Sequence, residues 1–268
     1  MTSRSVFFIG AVILIALVSV AALAPVLAPY NPTQQNLEND LASSSRDHPL
    51  GTDKLGRDLL SRILYGSRVS LLVGITTVTI SMLIGLVVGS LSGYFGGWMD
   101  QLLMRLVDVL MAFPGILLAI AFTAVLGPGL DHVVLALSLI GWTGYARLVR
   151  GEILALRERE FIHAAQALGG SPARVVLLHM LPNLLPSLLI QATFGMAAAM
   201  IAEGSLSFLG LGAQPPTPSW CSMLNEGRQF ILVAPHLTAF PGLAIMAAVL
   251  GLNLVGDGLR DRLEKRGK

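Results

Sequence analysis

Six apolar stretches divide this 268-residue chain and leave little freedom in what it can fold into. They run Phe7–Ala28, Val69–Leu91, Arg105–Leu126, His132–Leu148, Asn183–Ile201 and Leu237–Val255. About 20 apolar residues cross the hydrocarbon core of a bilayer as a helix. Lipid offers backbone groups no hydrogen-bond partner, so each stretch must satisfy its own amides. Only 13% of the residues are charged and 54% are hydrophobic, with a mean hydropathy of +0.71. A soluble domain carries about 25% charged residues. The expected fold class is an all-α membrane protein with six transmembrane helices, in contact with membrane lipid. Phe7–Ala28 holds no charge and is long for a signal's apolar core, so an uncleaved anchor is expected, although Ala22-Leu23-Ala24 and Ala28 imitate a cleavage site.

Lys and Arg favour the cytoplasmic side of a membrane protein. With the N-terminus inside, the inner segments hold Arg4, Arg105, Arg147, Arg150, Arg157, Arg159, Arg174, Arg260, Arg262, Lys265, Arg266 and Lys268. The outer segments hold Arg46, Lys54, Arg57, Arg62, Arg68 and Arg228, half as many. N- and C-termini are therefore expected in the cytoplasm. The outer segment from Asn31 is the weak point, because its basic residues lie close to the second span, interleaved with Glu38, Asp40, Asp47, Asp53 and Asp58. The expected organisation is an anchor helix and extracytoplasmic segment over 1–66, a five-helix core over 67–262 with a cytoplasmic loop at 151–182, and a tail over 263–268.

Several function classes fall away. The net charge of +2 is small and the basic residues are scattered, which argues against nucleic acid. Cys221 is the single cysteine, and His48, His132, His163, His179 and His236 are dispersed, so no cofactor and no metal site is expected. A gradient-driven carrier or channel places ionisable groups within its spans, and these spans are nearly free of charge at their centres. A membrane-embedded enzyme needs a nucleophile–base pair or metal ligands at depth, and none is evident.

The informative segment is the loop Glu160–Pro182. Good helix formers lead to Gly169-Gly170, which can end a helix, and Ser171-Pro172 supplies an N-cap and a first-turn proline for another. The loop reads as a helix–turn–helix hairpin with a small face at Ala164, Ala165, Ala167 and Leu168, rimmed by Arg157, Arg159 and Glu160. Such a face suits a groove on another protein, and equally an amphipathic loop lying on the membrane surface.

Ala164-Ala165-Gln-Ala-Leu-Gly169, followed by Leu181-Pro182, resembles the signature loop of permease subunits of bacterial ABC importers. Three further stretches narrow the resemblance: His48–Asp58, Ser207–Trp220 and Asn253–Asp261. In this order they are similar to the C-type permeases of the dipeptide/oligopeptide/nickel group, over nearly the whole chain. The resemblance implies an ABC importer type I permease fold working by alternating access. The implied partners are a second permease subunit, two ATPase subunits and an extracytoplasmic substrate-binding protein. It makes Glu160, His163, Ala164, Ala165, Gly169, Pro172, Leu181 and Pro182 the loop that couples to the ATPase. The chain lacks the GxxxxGK[ST] phosphate-binding loop, so ATP hydrolysis is expected on separate subunits and the chain is not expected to be an enzyme. Peptides are the expected substrate, with nickel or another small solute as the alternative.

This chain departs from the family pattern at three places. His163 stands where Glu is usual and His179 where Ile is frequent, and Cys221 replaces a Gly after Trp220. Histidine titrates near neutrality, so His163 either tunes docking with pH or is a plain surface substitution. Cys221 is expected to be buried and inert.

Gly85, Gly89 and Gly93 recur every four residues and open one face of the second span to a neighbouring helix, within the chain or at a subunit interface. Arg105 and Asp108 are spaced to pair on one face. Asp257 and Asp261 flank Arg260 at the inner end of the sixth span and read as anchoring. Glu203, near the outer end of the fifth span, is a candidate pathway residue or a partner in an interhelical hydrogen bond. Trp220, after the stiff run Gln214-Pro-Pro-Thr-Pro-Ser, is a candidate membrane-interface cap or binding-protein contact on the outer face.

Overall fold

The computed structural model describes residues 3–266. Lys268, counted above among the inner basic residues, lies outside them. The described residues form helices joined by loops, with no strand. The long helices are α1 (Ser3–Leu27), α2 (Leu59–Phe95), α5 (Leu130–Arg157), α8 (Leu181–Phe208) and α10 (His236–Arg266). Between them lie α3 (Gly97–Met111), α4 (Gly115–Leu126), α6 (Glu160–Ala167), the single turn α7 (Pro172–Arg174) and α9 (Trp220–Gly227). Five helices are long and apolar enough to cross a membrane, and α3 with α4 makes a sixth if that bent pair is one span.

The most extensive contact joins α2 to α5. A Cβ on Gly85 would stand 2.8 Å from the Trp142 carbonyl, on Gly89 2.6 Å from that of Ala146, and on Gly93 3.0 Å from Ile153 Cβ. The glycine stripe thus packs inside the chain, and its missing side chains let two backbones touch where lipid supplies no hydrophobic drive. Two serines lock the crossing: Ser81 Oγ donates to the Ser138 carbonyl at 3.3 Å, and Ser138 Oγ to that of Thr77 at 3.4 Å. A second glycine contact seats α1 on α10, where a Cβ on Gly10 would lie 2.8 Å from Leu254 Cβ. Phe8, Ile15 and Val18 on the rest of α1 are exposed, an apolar surface suited to lipid.

The third expected span, Arg105–Leu126, is broken. α3 and α4 meet at 85° across Ala112–Pro114. Pro114 has no N–H, and its ring disfavours helical geometry at Phe113, so the two helices cannot merge. The expected Arg105–Asp108 pair does not form either. Asp108 accepts from Arg147 on α5 at 2.6 Å, and Arg150 grips Asp100 through two bonds of 2.6 Å. An i,i+3 pair on an exposed helix contributes only about 0.2–0.5 kcal/mol, whereas the forked Arg150–Asp100 pair fixes two helices at once.

The segment preceding α2 is folded rather than slack. Asp53 accepts from the backbone of Leu55 and Arg57, from Arg57 Nε at 2.6 Å, and pairs with Arg62 at 3.2 Å. Glu226 on α9 closes the cluster, 2.9 Å from Arg57 and 3.4 Å from Arg62. Asp58 caps α2 through the Ser61 N–H at 2.7 Å and holds His48 at 2.9 Å. Arg57 and Arg62, two of the cations counted above as outer, are therefore neutralised within the fold. α2 begins at Leu59, so the boundary expected at residue 66 falls inside a helix.

Gly89→Ala should overpack the α2–α5 crossing by about 1–3 kcal/mol, measured as a lower unfolding midpoint in detergent, and Gly144→Ala, which has open space, should not. Asp53→Ala leaves Arg57 and Arg62 buried without their shared carboxylate and should cost about 3–5 kcal/mol, measured by the same unfolding assay.

Candidate coupling loop and membrane cleft

The hairpin at 151–182 forms as its residues dictate. α6 starts one short turn after α5 and ends at Gly169, whose φ of +80° is the left-handed conformation that favours glycine. The N–H of Gly170 donates to the Ala165 carbonyl at 3.1 Å and that of Gly169 to Gln166 at 2.9 Å, the paired bonds of a Schellman cap. Gly170 is required for a different reason: a Cβ there would lie 2.7 Å from the Ala165 carbonyl. Ser171 then caps the next turn by accepting from the Arg174 N–H at 3.4 Å, with Pro172 at its first position.

One residue pins the hairpin. Ile162 is 0% exposed and packs with Val175, Met180, Leu184 and Leu188, in the same cluster as Val149 and Ile153 of α5. Sequence inspection missed it; its signal was a lone β-branched residue facing away from a small-residue face. That small face is divided in the structure. Ala165 turns partly inward onto the core cluster, while Glu160, His163, Ala164, Ala167 and Gly169 are exposed and Leu168 is 89% exposed. Arg157, at the end of α5, donates to the Tyr94 carbonyl at 3.2 Å, and Gln166 reaches the Tyr94 hydroxyl at 3.5 Å. The loop is thus tied to α2 as well as to α5.

The second arm is not a separate helix. α7 passes into a π-helical turn at Val175–Met180 and then directly into α8, so a helical rod runs from Pro172 to Phe208. The Leu181 N–H reaches back to the Val176 carbonyl. Pro182 has no N–H to return to Leu178, and the wider turn accommodates the missing bond. Asn183 Nδ2 satisfies the His179 carbonyl at 2.7 Å. Pro172, Leu181 and Pro182 therefore lie on one element with the fifth span.

The two outer-face candidates lie inside the protein. Trp220 is 1% exposed; its indole N–H donates to the Ile63 carbonyl at 2.9 Å and its ring sits over Gly66. It anchors α9 to α2 and presents no outer contact surface, because a glycine at 66 and a hydrophobic cluster receive the ring. Glu203 is also 1% exposed; it accepts from Ser207 Oγ at 2.7 Å within α8 and also interacts with the Cys221 thiol on α9. Cys221 is buried beside it, and burial together with the Glu203 carboxylate pushes its thiol up, consistent with an inert group.

A cleft of about 250 Å³ opens between α2, α4, α5 and α8. Thr77, Ser81, Gly115, Ile116, Tyr145 and Gln191 contribute to its walls. Tyr145 bridges two of the helices by donating to the Gln191 carbonyl at 3.3 Å. The break at Pro114 is what brings the start of α4 to this cleft.

Residues 85–268 match the family described as binding-protein-dependent transport system inner membrane component, and residues 3–44 match the N-terminal TM domain of oligopeptide transport permease C. The chain belongs to the family of binding-protein-dependent inner membrane components and is a multi-pass permease of the ABC importer kind, resident in the inner membrane. It is 44% identical over 260 residues to the dipeptide transport system permease protein DppC of Alkalihalophilus pseudofirmus, covering 97% of this chain and 86% of that one. It is 46% identical over 263 residues to the glutathione transport system permease protein GsiD of Escherichia coli O6:K15:H31, with the same coverage. Among solved structures, a chain of the inward-facing MetNI methionine ABC transporter superposes with a TM-score of 0.59 at 21% identity, over 78% of this chain and 98% of that one. That likeness shows the fold.

Ile162→Ala should loosen the hairpin by about 2–5 kcal/mol. Limited trypsin digestion of detergent-solubilised protein should then cut after Arg157, Arg159 and Arg174 faster than in the wild type, with the α2–α5 core left intact.

Proposed function

We propose that this chain is the C-type permease of an ATP-driven importer for small peptides, with both termini in the cytoplasm. The observation that carries the coupling role is the outward face of α6, an exposed small and apolar patch around Ala164, Ala167 and Leu168 on a hairpin pinned from beneath by Ile162. A patch held that firmly transmits force, whereas a loop that merely floats on lipid needs no such anchor. An ATPase subunit is the partner it fits. A second permease completes the pathway, two ATPase subunits supply hydrolysis, and an extracytoplasmic binding protein delivers the substrate. Peptides are favoured over nickel because the similar DppC and GsiD proteins carry dipeptide and glutathione in their names.

In mechanism, closure of the ATPase pair pushes on α6. The push passes through Ile162 into α5, and through the Gly169-Gly170 turn into the rod that begins at Pro172. Stiff, packed helices respond by rigid-body rotation rather than local bending, and the pair of permeases alternates between inward- and outward-facing states. His163 is exposed on α6, and its effect on docking is separable from docking itself.

Leu168→Glu places a charge at the centre of the patch and should abolish co-purification of the ATPase subunits and ATP-dependent dipeptide uptake, with the second permease still bound. Retained ATPase binding and uptake would contradict the docking role. Uptake by this chain alone in liposomes under an ion gradient would instead establish a carrier.

A further inference from the structure

We infer that the cleft at the start of α4 is a transient site for the carboxylate of a passing peptide, an inference that rests on the peptide-import reading. Two independent observations place hydrogen-bond donors there. The first is Thr77, which lines the cleft, is only 4% exposed, and whose hydroxyl finds no partner among the described residues. A threonine inside a helix ordinarily returns its hydroxyl to a carbonyl one turn back, as neighbouring Thr76 does to Leu72 at 2.7 Å. Thr77 leaves that bond unmade, and a buried hydroxyl without a partner is destabilising unless a ligand or water supplies one.

The second is the beginning of α4 itself. This 12-residue helix starts at Gly115 after the Pro114 break, without a side-chain cap. The Leu117 and Leu118 N–H groups fold back onto the Pro114 carbonyl, at 3.0 and 3.2 Å, while those of Gly115 and Ile116 have no acceptor among the described residues. Both residues line the same cleft as Thr77. Uncapped amides at a helix N-terminus carry a partial positive charge and favour an anionic group. Discontinuous helices in transporters present such ends to anionic substrates.

The remaining lining agrees with this choice. Gln191 is exposed and adds an amide donor, and among the lining residues no Asp or Glu competes for the donors and no Lys or Arg would trap the anion. Gly195 and Gly141 admit neighbouring side chains of the lining: a Cβ on Gly195 would meet the Tyr145 hydroxyl, and one on Gly141 would lie 2.7 Å from Ser81 Oγ. Such a site lowers the cost of bringing a carboxylate out of water without binding it tightly, as passage requires.

The test is uptake of radiolabelled alanyl-alanine and trialanine by the assembled importer in proteoliposomes, with its binding protein saturating. Thr77→Val should lower the maximal rate by about 10-fold, with the half-saturating peptide concentration and ATPase co-purification unchanged, and Thr77→Ser should restore it. Gln191→Leu, at an exposed position, should lower the same rate and carries the test if Thr77→Val fails to assemble. Unchanged maximal rates in both Thr77→Val and Gln191→Leu, with normal wild-type uptake, overturn the cleft site alone. Failure of Thr77→Ser to restore the rate does the same. A wild-type importer that carries neither peptide overturns the peptide reading, and this site with it.

Discussion

The rest of the structure depends on the contact of α2 with α5. In lipid, burying apolar side chains gives two helices little reason to associate, so the work falls to dispersion between closely packed atoms and to a few interhelical hydrogen bonds. Gly85, Gly89 and Gly93 bring the α2 backbone within van der Waals reach of α5 over about two turns of helix. That proximity allows Ser81 and Ser138 each to reach a carbonyl on the opposite helix. It sets Arg157 under the last turn of α2, where a cation is favoured by the helix dipole. It also sets Arg150 where it can hold α3. Without that closeness, the cluster that receives Ile162 would have no floor.

The two ends of this core are built in different materials. At the end that carries the hairpin, packing of branched apolar residues around Ile162 does the fixing, and glycines shape the turn. At the opposite end a buried cluster of Asp53, Arg57, Arg62 and Glu226 ties the segment before α2 to α9. Buried ion pairs add little net stability compared with apolar packing, but they tolerate few alternative arrangements. The contrast fits the roles proposed: one end moves as a body with a partner, and the other holds a fixed shape around the start of α2.

Much of this was legible in the chain. Apolar runs announced the spans because lipid permits few other solutions, and Gly169-Gly170-Ser171-Pro172 announced the hairpin because those residue types have narrow conformational uses. The glycine spacing announced a close helix contact but not its partner. What stayed hidden was non-local or angular. Arg62 and Glu226 are 164 positions apart, and no local rule joins them. Asp108 had a plausible partner three residues away in Arg105, and only the placement of α5 makes Arg147 the actual one. The expected span Arg105–Leu126 was read as one helix, whereas the structure breaks it by 85° at Pro114, with α4 packed against α5. Trp220 looked like a surface anchor because tryptophan so often is one; the space over Gly66 that takes it inside belongs to a distant part of the chain. In the candidate sites, the outward half of α6 could be read directly, but Ile162 and Thr77 could not, since their meaning lies in what they do or do not touch.

The π-helical turn at Val175–Met180 also sets an angular phase. An α-helix advances about 100° per residue, and a π turn absorbs one residue more than an α turn before the chain resumes. The face that α8 shows to α2 and α10 is therefore rotated by about that angle from where an unbroken α-helix begun at Pro172 would present it. The hairpin's second arm and the membrane rod belong to one continuous element, yet each keeps its own azimuth, so the side shown outside the span and the side that meets neighbouring helices within it are specified separately along a single helix.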